Sequence, residues 1–155
     1  CNLSGSLLMT RPAPHIRADY VWYTDITTRW ADNDIYGHVN NVMYYSYFDT
    51  IVNRYLIEIA GLDIHHGNVI GLVVDSGCSY FSPLAFPDRL DGGLRVAHLG
   101  HSSVYYEIGV FKEGADATTA QGQFVHVFVD RETRKPVAIP ADLREKLSLL
   151  SLVRN

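Results

Sequence analysis

A chain of 155 residues with 13 Lys plus Arg, 17 Asp plus Glu and 47% hydrophobic content has the proportions of one globular domain, with no room for a separate cofactor module. Its 12% aromatic content, ten Tyr included, excludes a disordered or collagen-like chain, which would lack the apolar surface to offset ordering entropy. A formal net charge of -4 provides no basic face for phosphates, so neither nucleic acid nor an anionic membrane surface is an expected partner.

The two cysteines, Cys1 and Cys78, match neither a disulfide framework nor a zinc knuckle, which points to a reducing compartment and a cytoplasmic protein. No run approaches the roughly 18 apolar residues that a membrane helix needs. The opening CNLSGSLLMTRPAPH lacks the basic and then apolar order of a secretory signal. With Met9 close to the start, and Pro12 and Pro14 following, residues 1–17 read as a flexible extension and residues 18–155 as a single domain.

In chain order, Val21 to Trp30 alternates two faces rich in β-branched and aromatic residues, the pattern of a strand. The run ADNDIYGHVNN breaks it with short polar residues and Gly37, and Asn40 or Asn41 is placed to cap a helix. From Asn41 to Ala60 no Pro or Gly intervenes, and Gly61 stands where a left-handed residue ends a helix. Apolar residues cover most of its circumference, so the helix is expected to be buried nearly all round. β-like runs follow at 69–74, 78–81, 94–99, 104–110 and 124–129, separated by turn signals that include Ser82-Pro83, Pro87-Asp88, Gly92-Gly93, Gly100 and Gly114. Strands in succession without intervening helices favour an antiparallel sheet. Pro140 to Val153 then places Leu143, Leu147 and Leu150 at helical spacing. The fold class expected is α+β, an antiparallel sheet curled around one long helix.

The densest polar cluster, Asp32, Asn33, Asp34, His38, Asn40 and Asn41, lies directly before that helix. A helix N-terminus offers unpaired N–H groups and partial positive charge to an anion or a developing oxyanion. A carboxylate and an imidazole beside it can supply the base, acid or nucleophile of acyl transfer. The competing reading is that Asp34 and Asn40 only cap the helix and shape the loop.

The run TRWADNDIYGHVNNVMYYSYFDT resembles the signature of hotdog-fold acyl thioesterases: an Asp-x-Asp loop, a Gly-His-Val-Asn-Asn segment and a helix rich in Tyr and Phe. The likeness continues through SYFSPLAFPDRL, LGHSSVYYEIGVF and VDRETRKPVAIP, covers roughly residues 20–145 and is strongest to the 4-hydroxybenzoyl-CoA thioesterase-like branch. It implies an acyl-CoA thioester hydrolase that needs neither metal nor organic cofactor, CoA being part of the substrate. By the same resemblance Asp34 is the catalytic nucleophile or general base, and the backbone near Val39, Asn40 and Asn41 polarises the thioester carbonyl. Asn41 stands where some relatives carry a His or Tyr side chain. His38 is the assistant expected beside Asp34; packing within the loop is its alternative.

Gly37, from the Gly-His-Val-Asn-Asn segment, belongs to the expected substrate site, and Tyr45 and Tyr80 are candidate linings of an acyl pocket that must be apolar somewhere. His101 and Ser102 match a strand-linking turn that in relatives lies near CoA, with an ordinary hairpin turn as the alternative. Arg89, Arg95, Lys112, Arg131, Arg134 and Lys135 are the basic residues available for CoA phosphates or for a solvated face. Asp49 is expected in a structural or interface role, and His65-His66 lacks metal-ligand spacing. Two other functions share the fold: hydration or dehydration of acyl thioesters, whose Asp-x-Asn-Pro-x-His signature is absent here, and non-catalytic acyl-CoA binding. Resembling proteins pair two sheets with sites at the junction, which implies a homodimer or a dimer of dimers, a homotetramer.

Overall fold

Hydrogen bonding of the β-branched runs produces five strands in the computed structural model, which describes residues 13–151. They are β1 (Trp22–Thr27), β2 (Val69–Tyr80), β3 (Arg89–Leu99), β4 (Ser103–Lys112) and β5 (Ala120–Asp130). All neighbours are antiparallel and the order is β1-β3-β4-β5-β2, so the strands flanking the long helix occupy opposite edges. The helix therefore has to cross the face of the sheet. It does so as α1 (Asn41–Arg54), followed by a π-helical turn over Tyr55–Ile59 in which the Tyr55 N–H is shared between the Ile51 and Val52 carbonyls. Gly61, at φ +72, ends it as the sequence predicts.

Tyr44, Tyr47, Phe48, Ile51, Val52, Tyr55 and Leu56 fall at spacings of three and one along this helix and form its buried stripe. They pack on Leu90, Leu94, Val104, Tyr106, Ile108, Phe124 and Phe128 of the sheet. Each fully buried side chain of this size contributes roughly 1.5–3 kcal/mol. Burial all round the helix is not what the chain adopts: Val42 is 66% exposed, and Ser46, Asp49 and Thr50 face outward with it.

Three local expectations are corrected. The runs at 69–74 and 78–81 are one strand, because Asp75, Ser76 and Gly77 continue the pairing with β5 after a bulge between Val73 and Asp75. Gly92 and Gly93 make no turn but lie inside β3, where a Cβ on Gly92 would come 2.4 Å from Ile51 Cδ1 and one on Gly93 2.9 Å from the Tyr20 ring. They let α1 and Tyr20 settle onto the sheet. The first strand stops at Thr27, three residues early, since the chain turns through a short 3-10 helix at Trp30–Asp32.

Of the expected N-terminal extension, residues 1–12 lie outside the described residues. Its last part is tied down: the His15 N–H donates to Gln121 Oε1 at 2.8 Å, the Thr118 N–H to the His15 carbonyl at 3.0 Å, and Arg17 pairs with Asp91 at 3.0 Å. At the other end, α2 (Ala141–Ser148) is shorter than the segment predicted and buries Leu143 and Leu147, with Leu150 buried just beyond it. No helix among the described residues is long and apolar enough to cross a membrane.

Candidate active site

The loop between β1 and α1 is organised by Asp32. Its carboxylate is buried and accepts from the Arg29 N–H at 2.9 Å, Arg29 Nε at 3.0 Å and the Tyr47 hydroxyl at 2.7 Å. Burial pushes this carboxyl up, but the bonds from Tyr47 and Arg29 and the guanidinium charge together hold it below the ordinary carboxylate range. The Asp32 carbonyl accepts the Asn40 N–H at 2.8 Å, so the two ends of the loop meet. Asn33 Oδ1 takes the Phe86 N–H at 3.0 Å, and the Val39 N–H donates to the Leu84 carbonyl at 2.7 Å. These bonds fasten the loop to the segment between β2 and β3.

Asp34 sits at the exposed tip. Its Oδ1 accepts the Tyr36 and His38 N–H groups at 2.8 and 3.3 Å, its backbone N–H donates to the His38 carbonyl at 2.8 Å, and Gly37 closes the turn at φ +84. The side chain is thus oriented through one oxygen, while Oδ2 carries no bond to a described residue. Asn40 caps α1 by accepting the Val42 N–H at 3.2 Å on its side-chain oxygen. The first helical N–H, that of Asn41, has no acceptor among the described residues.

A cavity of about 360 Å³ opens at this corner, bounded by Asp34, His38, Val39 and Asn41 on the loop side and by Tyr44, Tyr80 and Phe81 opposite. Tyr44 and Tyr80 pack edge to face at 5.0 Å, and the Tyr80 hydroxyl donates to the Asn41 carbonyl at 3.3 Å. Burial pushes the Tyr44 phenol up to about 12 and, with Cys78 adding to it, raises Tyr80 as well. Both stay protonated near neutrality and act as apolar walls with a donor tip.

The predicted residues Asp34, His38, Val39, Asn41 and Tyr80 are therefore brought together. Gly37, Asn40 and Tyr45 do not line the cavity: the first two shape the loop, and Tyr45 packs on Phe48 at 6.0 Å, near the Tyr80 wall. His101 and Ser102 lie elsewhere in this chain: they link β3 to β4 at the far end of β3, an eleven-residue strand of roughly 35 Å. There the His101 carbonyl accepts from Ile139 at 3.0 Å and from Arg144 at 3.1 Å, tying the turn to α2. The oxyanion donors narrow too, because the Val39 and Asn40 N–H groups already hold the loop and, of the three, only the N–H of Asn41, a residue that borders the cavity, is unbonded among the described residues. Asp32 belongs to the polar cluster the sequence singles out, but its burial and its bond to Tyr47 do not show there, and neither Tyr47 nor Leu84 carries a signal as a site-builder.

Among the described residues no three His, Cys, Asp or Glu side chains converge as a metal site. An oriented carboxylate beside an unbonded helix-end N–H is an arrangement for attack on a polarised carbonyl.

The sequence profile of the thioesterase-like superfamily matches residues 28–147, the stretch from the end of β1 into α2. The chain belongs to this family. Its fold is the hotdog fold, five antiparallel strands and one long central helix. The thioesterase-like chain is similar to the PA5185 protein from Pseudomonas aeruginosa strain PAO1, with 58% identity and a TM-score of 0.88 over 90% of this chain and 97% of that one. The YsmA protein of Bacillus subtilis is 23% identical over 137 residues, 88% of this chain and 91% of its own length. Slr0204, a 1,4-dihydroxy-2-naphthoyl-CoA thioesterase from Synechocystis, aligns with a TM-score of 0.74 at 17% identity over 82% of this chain and 95% of that one, a likeness of fold.

Proposed function

We propose that this thioesterase-like protein hydrolyses acyl-CoA thioesters in the cytoplasm, releasing a free carboxylic acid and CoA. The observation that carries this reading is the pairing, in one cavity, of Asp34, with one carboxylate oxygen unbonded, and the Asn41 N–H at the positive end of α1. The thioester carbonyl oxygen takes the Asn41 N–H, and the helix end stabilises the negative charge that develops as the carbonyl carbon becomes tetrahedral. Asp34 Oδ2 either removes a proton from the attacking water or attacks the carbon itself; in the second case water then opens the mixed anhydride and restores the carboxylate. In both, the carbon–sulfur bond breaks and the thiolate leaves as CoA. The thiolate is a stable leaving group, so His38, whose imidazole carries no bond to a described residue, assists rather than decides. The aromatic walls Tyr44, Tyr80 and Phe81 support an aryl acyl group of the 4-hydroxybenzoyl type as the first substrate to try.

Next in sequence to the cavity residues Asp34 and Asn41, the apolar side chains Ile35, Tyr36 and Val42 are exposed at 91, 80 and 66%. A second copy covering them is in keeping with a homodimer or a dimer of dimers, in which a partner's turn equivalent to residues 101–102 would close the site. The test is thiol release from a panel of aryl and aliphatic acyl-CoAs by the wild type and by Asp34→Ala. Hydrolysis by the wild type that fails in the variant is the expected result; a wild type inert on every member of the panel overturns the reading.

A further inference from the structure

The sheet buries a second, unrelated polar feature at the other end of α1. His126 on β5 is 2% exposed and its buried Nδ1 has no hydrogen-bond partner among the described residues. Its ring is wedged among Tyr106, Phe124 and Phe128, with centroid separations of 5.1, 6.3 and 6.0 Å. A buried polar atom without a partner costs about 1–3 kcal/mol, so one retained at this depth calls for a role. His126 borders a cavity of about 300 Å³ whose other walls are Leu56, Leu62, Ile64 and Ile70. Gly71 also borders it and packs closely on the imidazole: a Cβ there would stand 3.2 Å from Nδ1 and 3.1 Å from the Phe128 ring.

Arg131 closes the same cavity. Its Nε donates to the Gly67 carbonyl at 2.6 Å and its Nη2 to the Ile64 carbonyl, which fix the guanidinium in place. No carboxylate among the described residues lies within ion-pair distance of it, although five other Arg and Lys side chains have such a partner. A positioned guanidinium with unused donors beside apolar walls matches a ligand with one anionic end and a compact apolar body. From Asn41 to Asn53, which borders this cavity, α1 rises roughly 18 Å, so the pocket is separate from the one beside Asp34.

We infer that this cavity is a second binding site, taking a small apolar monocarboxylate whose carboxylate is held by Arg131 and whose body rests on Leu56, Leu62, Ile64 and Ile70 beside the His126 ring. The site stands on its own residues and does not depend on the activity assigned to Asp34.

Benzoate and hexanoate are the probes, titrated into the full chain and into Asp34→Ala while the ring nitrogens of ¹⁵N-labelled histidine are followed by NMR and the heat of binding is measured. Saturable movement of the His126 signals in both proteins is expected, with affinity at least about tenfold weaker in Arg131→Gln and in Gly71→Ala, and no response to benzyl alcohol. Arg131→Gln removes charge from a partly exposed side chain and keeps the test open should Gly71→Ala fold poorly. His126 signals that do not move, binding that Arg131→Gln leaves unchanged, or binding lost in Asp34→Ala would each overturn the second site.

Discussion

Tyr47, one and a half turns into α1, donates its hydroxyl to the buried Asp32 carboxylate at 2.7 Å and so connects the helix to the loop that carries Asp34. The bond fixes the loop against the helix near the cavity. Removing the hydroxyl in Tyr47→Phe leaves a buried carboxylate short of a donor, a change of about 1–3 kcal/mol. Thermal unfolding should show that loss, and the hydrolytic kcat should fall with it while Asp34 itself is untouched. A variant as stable and as active as the wild type would remove Tyr47 from the positioning of the loop.

Asp34→Asn keeps an acceptor for the Tyr36 and His38 N–H groups, so the turn should persist with its charge and basicity gone. We expect thiol release to drop by roughly 10²–10⁴-fold, the range for a lost general base, with unfolding temperature little changed. Stability and activity falling together would instead assign Asp34 to the architecture of the loop.

The helix-end donor can be deleted alone. Asn41 is the first helical residue, a position where proline is well tolerated because its missing N–H is not needed by the helix. Asn41→Pro should therefore fold and lose about 10²–10³ in kcat, the usual consequence of losing one oxyanion donor, whereas Asn41→Ala keeps the backbone donor and most of the rate. Equal rates in the two variants would place the oxyanion elsewhere.

Burial lowers the His126 pKa from its ordinary value near 6.5 to about 4. The neutral ring is the form the fold accepts, so the unfolded chain binds the extra proton first as pH falls. The stability tied to His126 is whole above about pH 6.5, declines between there and about pH 4, and levels off below; the difference is roughly 3 kcal/mol. Urea unfolding of the wild type at pH 7 and pH 4.5, set against His126→Phe, should show a smaller acid loss in the variant.

Glycines at the helix–sheet contact should differ in cost. A Cβ on Gly122 meets the Gly77 carbonyl oxygen at 2.3 Å and the Phe48 ring at 2.5 Å, whereas one on Gly92 meets only the end of the Ile51 side chain below 3 Å. Backbone does not yield as a side chain does, so Gly122→Ala is expected to exceed the usual 1–3 kcal/mol of overpacking and Gly92→Ala to fall within it. Chemical denaturation of the pair checks the order.

The sequence announced the helix through an unbroken run between Asn41 and Ala60 and a Gly at 61, and it announced the sheet through alternation. Both signals are local. It also placed Asp34, His38 and Asn41 together, since eight residues of one loop cannot stray far apart. What it hid depends on distant partners. Nothing in the composition of β3 tells that Gly92 and Gly93 yield space to Ile51 and Tyr20 rather than turn the chain. Nothing near Asp32 tells that it is buried under Tyr47, and periodicity alone could not show that one side of α1 is left uncovered within a single chain.

The placement of β1 and β2 at opposite edges, with α1 between them, has a bearing on the order of assembly. β1 pairs with β3, and the loop after it is fastened by Leu84 and Phe86, all of which follow the loop in the chain. Contacts this far apart in sequence form slowly, because a long loop must close before any bond rewards it. The segment carrying Asp34 is synthesised before the strand and the residues that fasten it and, by this topology, is among the last to reach its working shape; a nascent chain cut short before β3 would hold the chemical groups of the site without their arrangement.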